Sequence, residues 1–269
     1  MNCCICGPAK NCGLYLNKVL ENIEKIGSIF DDYKILIYYD SSDDDTLEIL
    51  EKYIKKNHKL EVYINKNPTS IFRTHNIANA RNYCLDYIKK NKDLYPYFIM
   101  MDLDNVNCKE CNIENIKKYL NREDWDGLSF NTVPKYYDVW ALSIYPFCFS
   151  YNHFNNNTKF HKIIQNYVSI LLEKLPEDGL LPCISSFNGF AIYRTHKFLD
   201  TYYDGTIRKD LICDENMKAH MLVTDSKLVY KQYITVDGRY EDCEHRAFHI
   251  MASQKSDAKI MISKDVIFT

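Results

Sequence analysis

Asp102 and Asp104 stand one residue apart at the end of an unbroken apolar and aromatic run, Tyr97-Phe98-Ile99-Met100-Met101. Two carboxylates so spaced, on chain just leaving a buried strand, can turn toward one point. Oxygen ligands at such a point suit a hard divalent cation, Mn²⁺ or Mg²⁺. The competing reading is a polar strand end with two solvated acids. His245 and His249 are spaced i, i+4 and so share one helix face. Neutral imidazole is a common ligand of Mn²⁺-type ions, and a structural histidine is the competing role. An ion on Asp102, Asp104 and His245 keeps positions for two diphosphate oxygens. His249, one turn later, is an alternative ligand or a support for His245.

Four further places carry chemistry. Asp40 opens the acidic turn Asp40-Ser41-Ser42-Asp43-Asp44-Asp45-Thr46. It can accept hydrogen bonds from a base or ribose, and the same turn also reads as a helix N-cap. Arg81 lies beside the small Ala78 and Ala80, so its guanidinium can meet a diphosphate or a base, or stay at the surface. Arg73 and His75, on the loop entering that helix, reach toward phosphate in this reading. The segment Tyr136–Trp140 can stack on a ligand ring through Trp140 or pack as core. Asn188 and Gly189 allow a ligand close to the backbone.

Alternating elements must position these groups. Cys3–Cys6, Lys34–Tyr39, Leu60–Ile64 and the run before Asp102 read as strands, with Gly7-Pro8-Ala9-Lys10-Asn11 breaking the first. Between them, residues 13–26, the stretch after Thr46 and residues 76–90 carry apolar residues at helical spacing. This alternation predicts right-handed βαβ units and a mostly parallel sheet. After Asn105 the pattern changes. Ile113–Leu120 and Lys159–Leu172 read as helices. Gly127–Phe130, Leu228–Val236 and Lys259–Ser263 read as extended, and Ser186–Tyr193 as a loop entering a strand. One or two helical turns carry the two histidines.

Composition narrows the classes. At 269 residues and 46% hydrophobic, the chain can build a real core and is neither disordered nor fibrous. A net charge of −2 gives no long-range attraction to nucleic acid or anionic membrane. No apolar run approaches ~20 residues, so no transmembrane segment is expected. The N-terminus lacks the pattern of a secretory signal, which points to a cytoplasmic protein. The eleven cysteines then read as free thiols. Cys108 and Cys111 form a C-x-x-C, but zinc needs a second pair at suitable spacing. Heavy use of Asn, Lys, Ile and Tyr reads as the composition of a virus or an AT-rich host.

Taken in order, these segments resemble GT-A glycosyltransferases, the nucleotide-sugar-dependent class. The resemblance is carried by YYDSSDDDT at Asp40, NIANARNYCLDYI at Arg81, FIMMDLDN at the DxD acids, and SFNGFAIYR at Asn188 and Gly189. It continues in CDENMKAH at Asp214 and Glu215 and in CEHRAFH at the histidines. Tyr39 stands where the family has the first Asp of its turn, and the acidic pair runs Asp-Glu instead of Glu-Asp. The resemblance implies a GT-A-like α/β fold with a mostly parallel, Rossmann-type sheet flanked by helices. It implies one domain over 1–269, with a nucleotide-sugar half (1–105) and a mixed acceptor-binding, catalytic half (106–269). It further implies a metal-dependent hexosyltransferase with Mn²⁺ or Mg²⁺. A sugar would move from a UDP- or GDP-sugar to a hydroxyl of a glycan or protein. In an inverting enzyme Asp214 or Glu215 would be the base, the alternative being an acidic helix N-terminus. Two rival classes remain. A nucleotidyltransferase would carry a Gly-rich phosphate loop, and a non-catalytic carbohydrate-binding protein would need no metal acids.

Overall fold

The computed structural model describes residues 1–67, 70–153, 157–224 and 241–269. The first strand, β1 (Asn2–Ala9), continues through the Gly7-Pro8 step that the sequence reads as a break. It lies between β2 (Asp32–Asp40) and β4 (Tyr97–Met101), parallel to both. Pairing with β4 stops at Cys6↔Met100, so the missing N–H of Pro8 interrupts no bond on that side. Gly7 is needed where β1 passes β4, because a Cβ there would run into the Met101 carbonyl. β3 (Leu60–Asn65) adds a further parallel strand on β2. Helices α1 (Gly13–Gly27), α2 (Thr46–Ile54) and α3 (Arg73–Lys90) make the crossovers. Helix α3 starts earlier than its apolar period suggests, so Arg73 and His75 belong to its first turn.

The rear half completes the same sheet. It supplies α4 (Glu114–Leu120), β5 (Gly127–Asn131), α5 (Asn157–Glu173), β6 (Leu180–Pro182), β7 (Phe190–Arg194), α6 (Asp214–Thr224), α7 (Glu244–Ser256) and β8 (Ile260–Val266). The strand order is β3-β2-β1-β4-β7-β5-β8-β6. β7 runs antiparallel between β4 and β5, and β6 antiparallel on β8, while β5 and β8 are parallel. Because Phe190 pairs with Met101, the loop before β7 meets the chain leaving β4. That register brings Asn188-Gly189 to the two aspartates. The expected strand Leu228–Val236 lies outside the described residues.

Helices α1, α2 and α4 contribute to the core on one face of the sheet, and α3 and α7 to that on the other. Each fully buried Leu, Ile or Phe contributes ~1.5–3 kcal/mol. Cys3, Cys4 and Cys6 are buried within β1, and all eleven cysteines are free. Helix α7 is longer than the expected one or two turns. Its residues Glu244 to Ala252 are all buried, so polar side chains occupy positions that an apolar period would mark as core. Among the described residues no helix is long and apolar enough to cross a membrane.

Candidate active site

A cavity of about 610 Å³ opens where the parallel strands end. Its front wall comes from the ends of β1, β2 and β4 and from α3. This wall carries Lys10, Asp40, Arg73, Arg81, Asp102 and Asp104. Its rear wall carries Tyr137, Asp138, Trp140, Phe187, Glu244 and His245.

Asp40 sits at the mouth of β2. Its Oδ1 accepts hydrogen bonds from Asn65 Nδ2 (3.0 Å) and Ser41 N (3.2 Å), and Lys10 Nζ lies 3.4 Å from Oδ2. The rest of the acidic turn ties two helices together. Asp44 accepts from Gly13 N at 2.9 Å and from Thr46 N at 3.1 Å.

Arg81 is buried in the middle of the cavity floor instead of projecting freely toward a diphosphate. Its Nε donates to Glu244 (2.9 Å), its Nη2 donates to Asp102 (2.8 Å), and its guanidinium lies over the Phe187 ring. Burial works against its charge, and the Asp102 and Glu244 carboxylates more than offset this and raise its pKa. Only Nη1 is left without a hydrogen-bond partner. Asp104 lies beyond Asp102 and accepts from Val106 N at 3.0 Å, capping the short turn Asn105–Asn107. Burial and then the Asp102 charge push its carboxyl up to about 6.

The two histidines separate. His245 lines the cavity with its ring stacked on Phe187, centroids 3.8 Å apart. Neither of its nitrogens has a hydrogen-bond partner. Burial, then Arg81 and His249, lower its pKa and keep the ring neutral. His249 does not line the cavity. Its Nδ1 meets Ser185 Oγ at 2.9 Å and its Nε2 meets Tyr193 Oη at 3.0 Å, so both nitrogens are spent and its role as a ligand is withdrawn. Among the described residues, no three His, Cys, Asp or Glu side chains stand together as a ready metal site. The expected set of Asp102, Asp104, His245 and His249 is thus not a preformed cluster, since Arg81 already neutralises Asp102. The donors present still fit a cation arriving with phosphate oxygens. Asp104 is a carboxylate whose pKa is raised by burial and then by Asp102, and His245 is a buried neutral imidazole whose nitrogens make no hydrogen bond, Nε2 lying 3.6 Å from Glu244 Oε1.

Other expected site residues move to different roles. Trp140 lines the cavity, with Nε1 unpaired. Asn188 is buried and absent from the lining. Its Oδ1 accepts from Tyr137 N (3.0 Å) and Asp138 N (2.8 Å), and its Nδ2 donates to Phe130 O (2.7 Å). Gly189, with φ +82°, is also outside the lining. A Cβ there would lie 2.6 Å from Val106 Cγ1, and its carbonyl accepts from Asp102 N (2.9 Å). Both residues hold the walls in place instead of offering backbone to an acceptor. Asp214 and Glu215 are exposed on the first turn of α6 and do not line the cavity, so the structure does not bring them to the other acids.

Sequence reasoning missed Asp138, Glu244 and the acidic pair Glu241-Asp242. That pair has the family's Glu-Asp order and directly precedes α7, a signal the Asp214-Glu215 assignment passed over. Glu241 accepts from Thr74 N at 2.7 Å. Asp242 is buried against Arg246, with Nε 2.9 Å from Oδ2, and Arg246 also donates to the Trp140 and Leu142 carbonyls. Asp138 has no such signal, because it lies in an irregular aromatic segment.

An α/β sheet with this order, and a cavity at the strand ends where the acids after β4 meet an antiparallel β7, define the GT-A class of fold. Residues 4–170 match glycosyl transferase family 2, and the chain belongs to that family of glycosyltransferases. In structure it is similar to S. aureus TarS 1–349 in complex with UDP-GlcNAc, at 15% identity and a TM-score of 0.50. The match covers 100% of this chain and 57% of that one. It is also similar to the mannosyltransferase PcManGT from Pyrobaculum calidifontis in complex with GDP-Man and Mn²⁺. There the identity is 12% and the TM-score 0.44, over 76% of this chain and 47% of the other. The chain spans about half of the length of these relatives, and at such identities the likeness speaks for the fold alone. No curated protein matches the sequence.

Proposed function

We propose that this protein transfers a sugar from a nucleoside-diphosphate sugar, of the UDP or GDP type, to a hydroxyl of a glycan or protein acceptor. The observation that carries the reading is one cavity shared by Asp40, the Arg81–Asp102–Glu244 bridge, Asp104 and His245, whose ring nitrogens make no hydrogen bond. Asp40, beside Lys10 and Asn65, receives the base or ribose. Asp104 and His245 hold Mn²⁺ or Mg²⁺ with the diphosphate, and Asp102 orients the site through Arg81. The bound cation supplies Lewis-acid stabilisation of the leaving diphosphate. Arg81, paired with Asp102 and Glu244, fixes the two walls relative to each other. Residues 1–105 form the donor wall, and 106–269 supply the acceptor wall with Trp140 as a platform for a sugar ring.

A non-catalytic carbohydrate-binding protein would need Trp140 but not this collection of acids, and family membership speaks against the nucleotidyltransferase alternative. The test is the affinity of UDP and GDP with and without Mn²⁺ for wild type, Asp104→Ala and His245→Ala. Mn²⁺ should tighten binding in wild type and lose most of that effect in both variants. Equal enhancement in all three removes these residues from the metal site.

A further inference from the structure

We propose that the rear of the cavity is a saccharide subsite, in which Asp138 grips the hydroxyls of an acceptor sugar ring and Tyr137, Trp140, Tyr151 and His161 supply its walls. The inference rests on the glycosyl-transfer reading above and narrows its acceptor to a glycan, against a peptide. All five residues line the cavity. The irregular segment after β5 carries the first four, and α5 carries His161. Tyr136 and Val139 anchor that segment in the core. Asn188, in the left-handed conformation at φ +58°, then binds the N–H groups of both Tyr137 and Asp138. Asp138 Oδ1 accepts from Ala141 N at 3.0 Å, and Oδ2 makes no hydrogen bond among the described residues. Tyr151 and His161 meet edge to face, centroids 4.9 Å apart, and Tyr137 is 52% exposed.

What the wall withholds decides the ligand class. An extended peptide is held by its main chain, which needs a run of open N–H and C=O groups opposite it. Here the N–H groups of Tyr137 and Asp138 go to Asn188, that of Val139 to Tyr137 O (3.1 Å) and that of Ala141 to Asp138. The carbonyl of Tyr136 accepts from Gln165 (2.8 Å), and those of Trp140 and Leu142 accept from Arg246. No open run of backbone remains between Tyr136 and Leu142. The segment offers rings and one carboxylate oxygen instead. A pyranose matches that offer. Its C–H face packs on aromatic rings, and its hydroxyls donate charge-assisted hydrogen bonds to a carboxylate. A lone serine or threonine hydroxyl would leave the rings uncovered, whereas ligand sites bury most of what they bind against such rings.

The test reads acceptor and donor separately. The donors are UDP-GlcNAc, UDP-Glc, UDP-Gal and GDP-Man with Mn²⁺. The acceptors are methyl glycosides of glucose, galactose, mannose and N-acetylglucosamine, their monodeoxy forms, and peptides containing serine and threonine. Of the 2 tryptophans, Trp125 is fully buried and Trp140 lines the cavity, so a change in tryptophan emission on adding glycoside reports Trp140. At least one glycoside should shift that emission and raise nucleoside diphosphate release above the rate with water, and the peptides should do neither. Tyr137→Ala, at an exposed ring, should raise the glycoside KM about 2–10-fold, with the donor KM within about twofold. Asp138→Asn, which keeps shape, should raise the glycoside KM about 10–100-fold with the same small effect on the donor. The monodeoxy glycoside lacking the gripped hydroxyl should bind wild type as weakly as its parent binds Asp138→Asn, and lose little more in that variant. Stimulation by peptides alone, no response to any glycoside, or a donor KM rising in step with the glycoside KM each overturn the proposal. A wild type that shifts emission with glycosides yet releases nothing from any donor keeps the saccharide subsite and overturns the glycosyl-transfer reading instead.

Discussion

The two walls of the cavity are built differently. The front wall is made by register, because parallel strands end together and deliver Asp40 and Asp102 at one edge. The rear wall is made by individual polar side chains. Asn188 holds Tyr137 and Asp138, and Arg246 holds the carbonyls of Trp140 and Leu142. A wall made by register tolerates changes in single residues away from its chemistry, whereas a wall made by buried polar contacts fails when one contact is removed. Arg81 joins the two, since it pairs an acid from each.

The sharpest way to break this comparison is at the joint. Arg81→Met leaves the buried Glu244 carboxylate without its cation and should destabilise the fold by ~3–5 kcal/mol, read by denaturant unfolding. A loss under ~1 kcal/mol would mean that the walls stand independently. Next, removing the front-wall acid in Asp104→Ala should weaken Mn²⁺-supported diphosphate binding about 10–100-fold while leaving stability near wild type. Calorimetric titration and thermal melts together separate the two effects.

The rear wall carries a pH signature. Asp138 has a folded pKa raised from 3.8 to about 6. Well below pH 3.8 the acid is protonated in both the folded and unfolded states and costs nothing. As pH rises from about 3.8 to about 6 the unfolded chain ionises before the folded one, and stability falls by on the order of 3 kcal/mol, the loss being complete above about pH 6. Asp138→Asn escapes that loss, so it should be the more stable protein at pH 7, with an advantage that fades toward pH 4. An advantage that does not change with pH would contradict the raised pKa. His249→Phe should cost ~1–3 kcal/mol by leaving the buried Ser185 and Tyr193 hydroxyls unpaired, with metal-supported binding unchanged. The smallest effect is expected at the exposed α6 terminus, where Asp214→Asn and Glu215→Gln should keep turnover within about twofold. A large loss there would restore them as candidates for the base.

The sequence by itself determined the front of the molecule. An apolar run that ends in Asp102-Leu103-Asp104, and a helix carrying Arg81 beside Ala78 and Ala80, are local patterns, and local patterns survive without partners, whereas the burial of Arg81 between Asp102 and Glu244 was decided by packing. The i, i+4 spacing also places His245 and His249 on one side of α7. Only the tertiary structure decided that this side is buried. The first turn reaches the cavity beside Phe187, and the next turn meets Ser185 and Tyr193. Likewise, nothing local distinguishes Asp138 from a surface acid, or Asn188 from an acceptor contact. Their roles arise when the antiparallel β7 is inserted between β4 and β5, and a contact between residues 50 positions apart leaves no periodicity to read. Exposure decided the case of Asp214 and Glu215. An acidic pair reads the same in sequence whether its helix faces the cavity or the solvent, and packing alone turned this one outward.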